Sequence, residues 1–216
     1  MRKIILLGFL MAFAWHGFAQ QDAKAKKILD EVSTKMQSLE TISVNFLFTM
    51  ENKQMDIFEK NEGMLELKGQ KYRVDLPDVG IKVYSDGETL WNYMEDGNQV
   101  TISTLEEGGS ELMNPSSVFT IYEKGFRSKY AGEKKEGNKT FHLIELFPDS
   151  PEYEVDKIVI SIDSKENIIQ SALLHGTDNN LYGVEVTNLA TNKPMPDSYF
   201  VFNPKEYQDI EVIDFR

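Results

Sequence analysis

From Ile42 onward the chain repeats one pattern: short runs in which every second residue is apolar, cut by turn residues. Val44, Phe46, Phe48 and Met50 share one face of the first run, and Leu65 and Leu67 share a face of the next. Tyr72, Val74 and Leu76 follow, then Ile81 and Val83, then Val100 and Ile102. Later runs are "TFHLIEL", "DKIVISID", "IIQSALLH", "LYGVEVTNL" and "SYFVFN". A period of two is the signature of strands with one buried face. Asp86-Gly87, Asp96-Gly97-Asn98, Gly137-Asn138 and Asp178-Asn179-Asn180 sit where tight turns are needed. About ten strands joined by short turns predict an antiparallel meander in a single domain over residues 20–216.

Two segments break the alternation. In "DAKAKKILDEVSTKMQSLETI", Ala25, Ile28, Leu29, Val32, Met36 and Leu39 fall at helical spacing with Lys and Glu opposite. This predicts a helix over 22–39, with Asp22 as its N-cap. In "GGSELMNPSSVFTIYEKGF", Asn114-Pro115 has the form of a helix start and Gly125 of a stop. A short helix over 115–124 is expected there. Glycines on both sides allow Leu112–Tyr122 to move as a lid with Phe119 or Ile121 as an inward plug, and a fixed core helix is the alternative. The fold class is mainly β with some α: one curled antiparallel sheet with an N-terminal helix and a short mid-chain helix against it.

The stretch "YSDGETLWNYMEDGNQVTIS" (84–103) raises a question. As a strand it points Trp91 and Tyr93 to one face and Leu90 and Met94 to the other. Both faces are apolar, so both need cover.

The first residues read as an export signal. Arg2 and Lys3 form a basic end, Ile4–Trp15 is an apolar run too short to span a bilayer, and Gly17 and Ala19 are small residues placed for cleavage. The expected signal peptide is 1–19, with Gln20 as the mature N-terminus. The chain contains no cysteine, which leaves neither a disulfide framework nor a lipid-attachment thiol. Its formal net charge of −12 disfavours phosphate backbones as partners.

Catalytic signatures fail on inspection. His142 and His175 each stand alone in a strand pattern. Nucleophile-elbow, zinc-protease and cysteine-ligand motifs do not occur. "GEKKEGNKT" (132–140) mimics a phosphate loop, but Asn138 separates Gly137 from Lys139, and a strand pattern follows where a helix is required. A hairpin turn is the expected structure. The reading is of a protein that is not an enzyme and needs neither metal nor cofactor.

Gly63 with "LELK", "KYRVDL", then "VYSDGETLWNYMEDGNQVTI" resembles the signature region of the periplasmic outer-membrane lipoprotein carrier (LolA) family. A G-x-L-x-x-K strand there precedes a D-G-x-x-L-W-x-Y hairpin. The later strands and "YFVFNPKEYQDIEVIDF" resemble the family's second half. The resemblance implies an unclosed β-barrel capped by helices, whose apolar cavity shields lipoprotein acyl chains in transit between membranes. It implies a monomer in the periplasm. Its partners would be acylated lipoproteins, an inner-membrane lipoprotein-releasing ABC transporter and an outer-membrane acceptor. On this basis Phe46, Phe48, Leu65, Leu67, Tyr72, Trp91, Tyr93, Phe119 and Ile121 are the expected cavity residues. One departure stands out: Lys68-Gly69-Gln70 occupies the place of the family's basic-Pro step, so no arginine role transfers there. A related barrel that binds another lipid or glycolipid, or senses lipoprotein stress, is the alternative.

Overall fold

A computed structural model describes residues 16–105 and 125–216, with side chains from Ala23. The expected lid at 112–122, with Phe119 and Ile121, lies outside the described residues, as does most of the expected signal peptide.

Helix α1 (His16–Gln37) starts six residues before the expected boundary, so the expected N-cap position, Asp22, lies inside the helix. The expected cleavage point after Ala19 also falls within it. Nothing between His16 and Asp22 breaks a helix strongly enough to override the amphipathic stripe that follows. Ala25, Ile28, Leu29, Val32 and Met36 are all buried, as the spacing predicts. A 22-residue helix of modest propensity depends on such contacts. Each large side chain among them contributes about 1.5–3 kcal/mol by leaving water. Lys24 sits with its ammonium 3.7 Å from the centroid of the Tyr130 ring, which closes the rim of the contact.

Among the described residues, twelve strands form one sheet. The first meander is β1 (Ile42–Asn52), β2 (Ile57–Lys68), β3 (Lys71–Leu76), β4 (Ile81–Ser85), β5 (Thr89–Met94) and β6 (Gln99–Thr104). The second is β7 (Phe126–Glu136), β8 (Lys139–Pro148), β9 (Val155–Asp163), β10 (Ile168–Gly176) and β11 (Leu181–Thr191). They join where β1 pairs with β11, from Ile42 opposite Thr191 to Glu51 opposite Leu181. The register shifts at Asn45/Phe46, which leaves Thr187 as the extra residue. Its hydroxyl donates to the Asn45 carbonyl at 3.0 Å and pins the bulge.

The strand order is β12-β6-β5-β4-β3-β2-β1-β11-β10-β9-β8-β7, with β12 (Glu211–Asp214) and β7 at the two ends. The sheet is curled and unclosed, as expected. Three details differ from the simple meander. Strand β7 carries too many charges for its weak alternation to stand out. Strand β12 pairs parallel with β6 and makes the sheet mixed. "SYFVFN" joins no ladder: Asp197–Phe200 is a 3-10 turn, and the residues after it cross the sheet. Helix α1 packs against β7 and β10, on what we call the inner face. The phosphate-loop mimic is a β7–β8 hairpin, with Glu136 opposite Lys139 and Gly137 at φ 56°.

Candidate functional site

Pairing assigns each side chain to a face. Leu67, Tyr72, Ser85 and Leu90 oppose one another across β2–β5, and Leu65, Val74 and Val83 form the next row. These rows belong to the same cluster as α1. Leu67, Tyr72 and Leu90 are buried at its centre. Away from the helix the cover thins. Phe46, Phe48, Leu65, Val74 and Val83 are only partly buried, Val184 keeps 38% of its surface and Met94 41%. Phe48 stacks on Tyr182 at 6.4 Å between centroids.

Gly63 holds a specific place in this surface. A Cβ there would lie 2.4 Å from Phe46 Cζ and 2.8 Å from Leu76 Cδ2. The ring of Phe46 lies over the glycine backbone, in contact that no other residue permits. In the sequence Gly63 stands out only as part of a motif; the contact supplies its physical cause.

Trp91 and Tyr93 point the other way, so the expectation that they line one cavity with Phe46 needs correction. Tyr84, Trp91 and Ile102 oppose one another on the outer face, as do Lys82, Tyr93 and Val100. With Phe202 they form a second cluster, packed by Tyr207 and Ile210. Phe202 lies 5.5 Å from Tyr84 and 5.4 Å from Tyr93, and Tyr207 lies 4.5 Å from Tyr93. The C-terminal segment thus covers the outer side of β3–β6, which answers why "LWNYM" is apolar on both sides. Phe200, Phe202 and Tyr207 were missed as a group because the alternation in "YFVFN" reports extended backbone and cannot tell a paired strand from an unpaired strap.

Polar contacts fasten this strap. Asp197 accepts from Lys68 at 2.8 Å and pairs with Lys71 at 2.6 Å, and the two ammonium groups hold its carboxyl at about 2. Lys68 also donates to the Met195 carbonyl at 2.8 Å. The Tyr199 hydroxyl donates to buried Glu66. Burial first, and this bond second, push that phenol up to about 12. Burial, with Tyr84 alongside, does the same for Tyr207. Arg73 lies between the rings of Tyr84 and Tyr199, 5.0 and 4.7 Å from their centroids. Its Nε is the one buried side-chain nitrogen or oxygen among the described residues without a hydrogen-bond partner. The two ring faces and Asp75, at 3.7 Å, meet its charge instead.

No group of three or more potential metal ligands occurs among the described residues. His142 faces Tyr130 at 3.3 Å and Glu133 at 3.5 Å, an arrangement at the sheet edge beside α1. What the molecule offers chemically is an apolar surface that is partly open on one face and sealed on the other.

Comparison with known proteins agrees with this geometry. The family model for "Outer membrane lipoprotein carrier protein LolA" matches residues 15–173. The chain belongs to that family. Two outer-membrane lipoprotein carrier proteins of Legionella pneumophila are similar over nearly their whole length. The strain Lens protein is 20% identical over 213 residues, covering 97% of this chain and 98% of its own. The strain Paris protein is 22% identical over 217 residues with the same coverage. An uncharacterized conserved protein from Thermus thermophilus shares the fold with a TM-score of 0.58 at 13% identity, over 88% of this chain and 99% of its own. MucB does so with a TM-score of 0.51 at 13% identity, over 87% of this chain and 66% of MucB. Membership in the LolA family makes this a protein of a carrier family, whose members bind cargo and do not catalyse. No helix among the described residues is long and apolar enough to cross a membrane.

Proposed function

We propose that this protein carries acylated lipoproteins through the periplasm, with their acyl chains held against the inner face. The partly open apolar surface around Phe46, Phe48, Leu65, Val74, Val83 and Val184 is the observation that carries the reading. Leu67 and Tyr72 form its floor. An acyl chain gains about 0.8 kcal/mol for each methylene that leaves water. A carrier must nevertheless release its cargo, and partly buried aromatic and aliphatic contacts give up ligands without a chemical step. The partners are an inner-membrane ABC transporter that loads the carrier and an outer-membrane acceptor that unloads it. Residues 1–19 are the export signal, removed after Ala19, and residues 20–216 are the working domain.

The test is displacement of an apolar fluorescent probe by a purified lipoprotein in the presence of a chelator. Displacement by the acylated protein, and none by the same protein without its acyl chains, supports the reading. A requirement for nucleotide or metal overturns it. Mass spectrometry of material copurified from the periplasm identifies the cargo. Recovery of a free glycolipid in place of protein-linked acyl chains would replace lipoprotein with another lipid.

A further inference from the structure

Strand β2 is twice as long as the neighbour beside it. It pairs with β1 along its whole length, from Asn52 opposite Ile57 to Ile42 opposite Leu67. It pairs with β3 only from Met64 opposite Asp75 to Lys68 opposite Lys71. Continuing that register would set Glu62 opposite Pro77. Proline has no N–H to give, and the chain there leaves the sheet in a 3-10 turn, Pro77–Val79. Among the described residues, β2 from Ile57 to Gly63 therefore has a strand on one side only.

The direction of its backbone groups follows from one bond. The Glu62 N–H donates to Asp78 Oδ2 at 3.0 Å, so it points away from β1. Backbone groups of residues two and four positions away on a strand point the same way. The N–H and C=O of Lys60 and Phe58 consequently face the open side. Free edges of this kind are normally blunted by charges, bulges or brevity. Edge strand β7 carries Arg127, Lys129, Glu133, Lys134, Lys135 and Glu136 and a register shift at Tyr130/Gly132. Edge strand β12 has only four residues. The β2 edge has a single lysine and no register shift, and it displays Phe58 at 65% exposure.

A cleft of about 500 Å³ opens on the outer side of this edge, walled by Leu47, Met64 and Pro77 with Glu62 and Asp75 among its polar lining. Asp75 is engaged with Arg73, but the carboxylates of Glu59 and Glu62 form no ion pair among the described residues. With Asp78 they outnumber Lys60, so the edge is acidic. It lies outside the second cluster and away from α1.

We propose that the free edge of β2 at Phe58–Glu62, with the adjoining cleft, docks an extended peptide segment of a partner protein that carries basic side chains. Such a segment adds as a strand. Its main chain satisfies Phe58 and Lys60, one basic residue meets Glu62 at the cleft, and another meets Glu59 on the opposite face. Glu59 and Glu62 are three apart, so the two basic residues are also three apart. The site does not depend on the nature of the cargo.

The probe is acetyl-Thr-Lys-Val-Thr-Lys-Val-Thr-amide, titrated to millimolar concentration against the full mature chain. Laid antiparallel, it sets its lysines opposite Glu62 and Glu59 and a valine opposite Phe58. Amide hydrogen exchange should slow at Phe58 and Lys60. The same peptide with glutamate for both lysines should bind about fivefold to tenfold more weakly. Exchanging Glu59 and Glu62 for Lys should reverse that preference without touching the backbone. Lys60→Pro removes an outward N–H while sparing the bonds to β1, and should weaken binding by about tenfold. Lack of protection at Phe58 and Lys60, equal binding of both peptides, or unchanged binding to Lys60→Pro would each overturn the proposal.

Discussion

Strands β4 and β5 present apolar side chains on both faces, their neighbour β3 on the inner face alone, and the two faces have different fates. On the outer face Tyr84, Trp91 and Tyr93 are sealed by Phe202 and Tyr207, with exposures of 8% or less. On the inner face the cover of α1 runs out. Val74 and Val83 stay partly open, and Met94 keeps 41% of its surface. The same strands thus build a solid core on one side and a receptive surface on the other. Apolar character alone does not mark a binding surface; incomplete cover by the rest of the chain does.

The comparison is most exposed at Phe202. Phe202→Ala should cost about 3–5 kcal/mol of unfolding free energy, because the cavity left among Tyr84, Tyr93 and Tyr207 cannot refill. Affinity for an apolar probe should hold steady in the same variant. Denaturant melts and probe titrations on one preparation check both, and a shift in affinity with little loss of stability would reverse the roles of the two faces.

Gly63→Ala should follow, at about 1–3 kcal/mol, since the new methyl meets the Phe46 ring and overpacks the site. Here probe affinity should change too, because Phe46 must swing off the inner surface. A crystal structure of the variant with Phe46 unmoved would contradict this.

Phe48→Ala should sharpen the contrast from the other side. The residue is partly buried, so the expected loss is about 1 kcal/mol, whereas probe affinity should fall by about tenfold if the acyl chain packs on that ring. Equal effects of Phe48→Ala and Phe202→Ala on stability would erase the distinction.

Smaller effects come from pH. Tyr199 and Tyr207 hold pKa values of about 12, above the ordinary 10.0. A raised pKa contributes stability in full below the unfolded value and loses it as pH climbs through the folded one. The strap should therefore loosen between pH 10 and 12, visible as tyrosinate absorbance rising with exchange at residues 199–210. Asp197 has the opposite sign. Its pKa falls from 3.8 to about 2, so its contribution is present above 3.8 and disappears as pH drops towards 2. Asp197→Asn should flatten the acid limb of the stability curve over that range and change little at neutral pH. It is the smallest effect because the carboxylate sits in water.

Much of this was legible beforehand. The apolar positions of β1, β3, β4, β8 and β9 fall where alternation puts them, and the buried stripe of α1 matches its spacing. The start of α1 was not legible, since a cap residue only marks a boundary when the preceding chain declines to be helical. For the candidate site, Phe46, Phe48, Leu65, Leu67 and Tyr72 share the inner face, and Trp91 and Tyr93 lie on the outer one.

The reason lies in what a period of two contains. It states that a strand has two faces and which residues share each one; this the sequence by itself determined, together with the turns and the helix. It carries no label for inside or outside, because that depends on what arrives later to cover each face. Only the tertiary structure decided that α1 takes one side and the C-terminal strap the other. It alone joined β1 to β11 across some 140 residues and set β12 parallel to β6. It also ended the β2–β3 ladder at Met64, where Pro77 turns away and, among the described residues, leaves an edge unpaired. Such pairings are non-local, and their stability comes from areas of contact that no short window of sequence contains.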